Sequence, residues 1–88
     1  MRGRRPKTFE EHQFNQQVGA LIANVRRIRK LDHDELAQRA GISRGQLYFW
    51  ESGEQRVPLY YLKELARALS VPIVALLPGV AAPSLSRK

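Results

Sequence analysis

Apolar residues return every three or four positions along most of this chain, the spacing that lines one face of an α-helix. Phe14, Val18, Leu21, Ile22, Val25 and Ile28 form the first such stripe. Thr8 and Glu11 have capping-box spacing ahead of it. They predict a helix from near residue 9 to residue 29, with a break around 13–16 as an alternative. Asp32 and Glu35 repeat the spacing before a second stripe, Leu36, Ala37 and Ala40, which ends where Gly41 can turn left-handed. Ser43 caps a third helix, with Gln46 at the reciprocal position, Leu47 and Trp50 facing inward and Gly53 as the stop. Pro58 suits the first turn of a fourth, striped by Leu59, Leu62, Leu65, Ala66 and Leu69. Pro72 opens a short fifth with Ile73, Leu76 and Leu77, closed by Pro78 and Gly79. No segment of useful length alternates with the period of a strand. The pattern therefore predicts an all-α, compact five-helix bundle over residues 8–79. A flexible basic arm at 1–7 and a flexible tail at 80–88 flank it.

The second and third segments carry the most specific spacing. Two helices joined by a three- or four-residue turn approach closely, and Ala37 supplies a small residue for that contact. Gly41 permits the turn, and Leu47, six positions on, plugs the angle between the helices. This is the form of a helix-turn-helix, a unit that lays its second helix in the DNA major groove.

Composition narrows the class. Fifteen Lys and Arg against eight acidic residues leave a formal charge of +7 on 88 residues, which suits a polyanionic partner or simply a basic, soluble surface. With no cysteine there is no disulfide or thiolate metal site. The longest apolar run, 73–77, is too short to span a membrane. The opening Met-Arg-Gly-Arg-Arg lacks the apolar region of a secretory signal, and Glu10 and Glu11 count against a transit peptide. No nucleophile–base set, phosphate-cradling loop or metal-ligand cluster stands out. The expectation is a non-enzyme of the prokaryotic cytoplasm, with no cofactor, metal, membrane or small-molecule ligand.

Four stretches together resemble the lambda-repressor-like, Cro/XRE-type helix-turn-helix family across about residues 18 to 77. These are VGALIANVR, DELAQRAGIS, LYFWESG and LKELARALSVPIVALL. The resemblance implies a lambda-repressor-like DNA-binding domain and a structural ion pair between Arg26 and Glu51. It also marks departures. Lys30 and Ser70 stand where relatives often have Gly, and His33 stands where many have a Gln that bonds the DNA backbone. Gly45, Tyr48 and Phe49 make an unusual reading surface.

The expected interface follows from this frame. Arg44, first after the serine cap, can take guanine through O6 and N7, clamp a phosphate, or stand as a solvated surface arginine. Gln46 can reach an adenine edge or a phosphate, or serve only as a cap. Gly45 admits close backbone approach. Tyr48 and Phe49 cannot both face the core beside Leu47 and Trp50, so at least one is free to touch DNA. His33, Gln38, Ser43, Gln55 and Arg56 are the backbone candidates. Arg2, Arg4 and Arg5 form either a minor-groove arm or a solubilising tail. Tyr60, Tyr61, Ile73, Val74 and Leu77 make either a homodimer seam or the edge of the monomer core. The function this implies is a sequence-specific regulator of transcription on double-stranded DNA. In its commonest form that is a repressor dimer on a palindromic operator. The alternatives are a protein-interaction module on the same fold, antitoxin-like or binding the transcription machinery, and a general nucleic-acid binder that reads no bases.

Overall fold

The computed structural model describes residues 8–79. The 1–7 arm, with Arg2, Arg4 and Arg5, and the 80–88 tail lie outside the described residues. Four α-helices follow one another: α1 (Phe9–Ile28), α2 (His33–Ala40), α3 (Arg44–Ser52) and α4 (Leu59–Leu69). No strand occurs among the described residues. The expected fifth helix is instead a 3-10 turn at Ile73–Leu76, held by Ala75 N–H to Pro72 O and Leu77 N–H to Val74 O. Pro72 and Pro78 leave too few residues between them for a run of α-type bonds. The turn still seats a fully buried Leu76 in the core.

Side-chain caps start the first three helices. Thr8 with Glu11 and Asp32 with Glu35 form reciprocal capping boxes. Ser43 accepts from Gln46 N–H, but the Gln46 side chain turns away to Gln55, so this box is only half formed. All four helices end alike. A left-handed residue follows, and the next N–H reaches back over the last turn: Leu31 to Arg26, Ile42 to Ala37, Glu54 to Phe49 and Val71 to Ala66. Gly41 and Gly53 adopt that conformation freely. Lys30 and Ser70, at φ 61° and 59°, adopt it against the clash of their Cβ.

Ile22, Leu36, Leu47, Leu65, Leu69 and Leu76 are fully buried and make the centre of the core. Helix α1 is continuous through 13–16, and its inward face is turned from the expected one. Asn15, Val18, Gly19, Ile22, Ala23 and Arg26 point inward. Phe14 and Ile28 are 46% and 65% exposed. Gly19 explains the phase. A methyl group there would overlap the backbone carbonyls of Trp50 and Glu51, so α1 touches the end of α3 backbone to backbone. Gly53 repeats the device, since a Cβ on it would lie 2.7 Å from Gln16 Cα.

Long cations tie the remaining ends together. Arg29 donates to the carbonyls of Leu69 and Ser70 at 2.8 and 3.1 Å, closing the open end of α4. Arg67 donates to the Arg39 carbonyl at the end of α2 and also holds Glu64. Hydrogen bonds from Arg67 and then Lys63 keep the Glu64 carboxyl below its ordinary pKa.

Candidate nucleic-acid interface

Helix α3 has two faces of opposite character. Leu47 and Trp50 are sunk in the core. Arg44, Gly45, Tyr48 and Phe49, at the spacing of a shared helical face, are exposed. Tyr48 and Phe49 are 46% and 45% exposed, so neither is taken up by the core. Open space surrounds the position where Gly45 would carry a Cβ. The left-handed turn at Gly41 and the Ser43 cap set the start of this face, and Gly53 sets its end.

Beneath it lies a buried polar junction. The Glu51 carboxylate accepts from Arg26 Nε at 2.8 Å and Nη2 at 3.3 Å. Arg26 Nη1 donates to the Leu31 carbonyl at 2.9 Å, so the guanidinium joins α1, the α1–α2 link and α3. Both side chains are about nine-tenths buried, where a charge without its partner is costly. His33 Nε2 completes the junction at 2.9 Å from the second Glu51 oxygen. An ionised carboxylate only accepts, which assigns the ring proton to Nε2 and leaves Nδ1 for any outside partner.

The junction connects outward to the exposed face. The His33 ring stacks on Tyr48, with centroids 4.3 Å apart and planes at 27°. The Tyr48 hydroxyl accepts from Arg44 Nη2 at 3.3 Å, and Asp34 Oδ2 lies 3.6 Å from Arg44 Nη1. The Tyr48 hydroxyl first, and the Asp34 charge after it, raise the Arg44 pKa above its ordinary value. Gln46 Nε2 donates to Gln55 Oε1 at 2.9 Å and so pins the first turn of α3 to the loop that follows it.

The sites expected from sequence thus fall into distinct settings. Arg44 and Tyr48 touch, as do Gln46 and Gln55, and His33 is directed to Glu51. Gln38, Ser43 and Arg56 are exposed. The expected seam divides. Tyr60 is 59% exposed and Val74 is exposed too, whereas Tyr61, Ile73 and Leu77 are half-buried against the core. Tyr61 also packs on Trp50, ring centroids 5.5 Å apart. Asp34, Gly19 and Arg29 were not singled out by sequence reasoning. For Gly19 a signal was present: Gly19 and Ala23 are small residues four apart on one helix face, a pattern that lets backbones meet.

The model of the HTH_3 helix-turn-helix family matches residues 22–76, well over half of the sequence. The chain belongs to the HTH_3 family. The matched stretch holds the whole helix-turn-helix, while residues 9–21 of α1 lie ahead of it. A Rhodospirillum rubrum protein, described as an uncharacterized transcriptional regulator in the ATPase CF(0) region, is 36% identical over 62 residues. That alignment covers 70% of this HTH_3 chain and 57% of the relative, so it spans little more than half of that protein. Among solved structures, the restriction-modification controller protein C.AhdI from Aeromonas hydrophila superposes with a TM-score of 0.69 at 26% identity. The match covers 70% of this chain and 94% of that one. An HTH_3 family transcriptional regulator from Vibrio cholerae gives 0.72 at 29% identity, over 75% of this chain and 37% of that one.

Proposed function

We propose that this HTH_3 chain is a sequence-specific regulator of transcription that binds double-stranded DNA. The observation that carries the proposal is the free outer face of α3. A core-anchored helix presents Arg44, Tyr48 and Phe49 to solvent, with a bare Gly45 among them. Arg44 offers a guanidinium fork to a guanine edge, and Phe49 offers an apolar contact to a thymine methyl. Gln38, Ser43, Gln55 and Arg56 are exposed polar groups on the flanking segments, suited to phosphate oxygens. The net charge of +7 favours the same partner. The family and the relatives described as transcriptional regulators support this reading.

One such module covers little DNA, so the reading extends to a homodimer on a palindromic site, each protomer taking a half-site about one helical turn from the other. Occupancy of the site then blocks transcription, which makes the dimer a repressor. The chemistry asks for no cofactor. The test is a titration of a duplex enriched by in vitro selection, and of its scrambled counterpart, at two salt concentrations. The expected result is tight, salt-sensitive binding to the selected duplex and much weaker binding to the scrambled one. Equal affinity for both would leave a general nucleic-acid binder. Loss of any salt-sensitive duplex binding would leave a protein-interaction module.

A further inference from the structure

We propose that His33 is a specificity-determining positioning residue that acts through Tyr48 on Arg44, rather than a contact to the DNA backbone. The inference rests on the reading of α3 as the base-reading helix. Three observations carry it. His33 is anchored from below, its Nε2 held 2.9 Å from the buried Glu51 carboxylate that Arg26 also clamps. An imidazole held at one nitrogen and pressed on one face keeps a fixed plane. That plane is stacked on Tyr48 at 4.3 Å. Tyr48 is half exposed, and the stack on His33 supports its ring. Tyr48 in turn accepts from Arg44 Nη2, while Asp34 draws Nη1 from the other side.

The consequence is a guanidinium held in one orientation before any DNA arrives. Each terminal nitrogen of Arg44 carries two hydrogens; Tyr48 takes one from Nη2, and Asp34, 3.6 Å from Nη1, acts by charge alone, so both nitrogens keep a hydrogen for a guanine O6 and N7. A phosphate accepts an arginine from many directions. A guanine edge accepts the fork only in the plane of the base, so fixing the fork favours guanine over the alternatives. A chain of contacts running from Glu51 through His33 and Tyr48 to Arg44 therefore transmits the rigidity of the core to the reading atom.

The experiment compares affinities for the selected duplex and for the same duplex with its Arg44-contacted guanine replaced. Their ratio is the discrimination, and each variant is first checked by its melting curve. Arg44→Ala should lower the ratio about tenfold or more, the size of a lost bidentate contact. His33→Ala and Tyr48→Phe should each lower it by about fivefold to tenfold, leaving the scrambled-duplex affinity and the salt slope unchanged. His33→Phe keeps a flat ring on Tyr48 but loses the Nε2 anchor to Glu51, so it should recover only part of the ratio, and full recovery would remove Glu51 from the chain of contacts. The inference fails if His33→Ala weakens both duplexes alike and reduces the salt slope by about one, the mark of a phosphate contact. It also fails if Arg44→Ala collapses the ratio while His33→Ala and Tyr48→Phe leave it intact. An unchanged ratio in Arg44→Ala would remove the base-reading role of Arg44 itself, and the inference with it.

Discussion

Glu51 receives hydrogen bonds from both Arg26 and His33, and its side chain is nine-tenths buried. Removing it leaves the Arg26 charge buried with only the Leu31 carbonyl as partner. Glu51→Ala is therefore expected to cost about 3–5 kcal/mol and to lower the melting temperature by more than about 10 °C. Replacing Arg26 and Glu51 together by apolar residues should cost much less than the sum of the single changes. An unchanged melt in Glu51→Ala would remove the pair from the structural account. Gly45 is the opposite case. It is exposed within a helix and has open space where a Cβ would sit. Gly45→Ala should gain about 1 kcal/mol of stability, seen as a melting point several degrees higher. If α3 lies against a base edge, the same change should weaken operator binding. Legibility differed sharply between such residues. Arg44 and at least one of Tyr48 and Phe49 could be placed outside the core from helical phase, and the structure shows that both aromatics lie there. Asp34 beside Arg44, and His33 turned toward Glu51, depend on side-chain paths that neighbouring sequence does not encode.

The helix starts were legible because a capping side chain acts on a backbone N–H only three residues away, as Thr8, Asp32 and Ser43 do. The stops were legible for the same reason at Gly41 and Gly53. The phase of α1 was not, because the backbone contact at Gly19 and the buried Asn15 and Arg26 outweigh the apolar pattern. The length of the last element was lost between two prolines, where the apolar spacing of a helical turn persists in a 3-10 turn. The helix ends also carry a stability prediction. Lys30 and Ser70 hold left-handed backbone that glycine adopts without strain. Lys30→Gly and Ser70→Gly should each stabilise the protein by roughly 0.5–1 kcal/mol, and their effects should add because they lie at different helix ends. Paired thermal melts check this, and a lower melting point in either variant would show that the native side chain there makes a contact worth more than the strain.

At the scale of the molecule, no helix among the described residues is long and apolar enough to cross a membrane. The free face of α3 and the chain's net charge of +7, most of it carried outside residues 8–79, support the proposed encounter with a duplex. The proposed homodimer would need apolar surface away from that face, and Tyr60 and Val74 offer it on α4 and the 3-10 turn. Val74→Glu should turn a dimer into a monomer by sedimentation equilibrium and weaken operator binding, while leaving the melting temperature of the protomer nearly unchanged. A wild-type chain that sediments as a monomer well above its operator Kd would remove the dimer from the proposal without touching the reading helix. The position of the duplex can be read directly from backbone amide shifts of the isotope-labelled protein as DNA is added. The account predicts that the largest changes fall at residues 43–49, with smaller ones at 33–38 and 54–56. Undisturbed amides at 43–49 in a chain saturated with duplex, with the changes confined to α1 or α4, would contradict it.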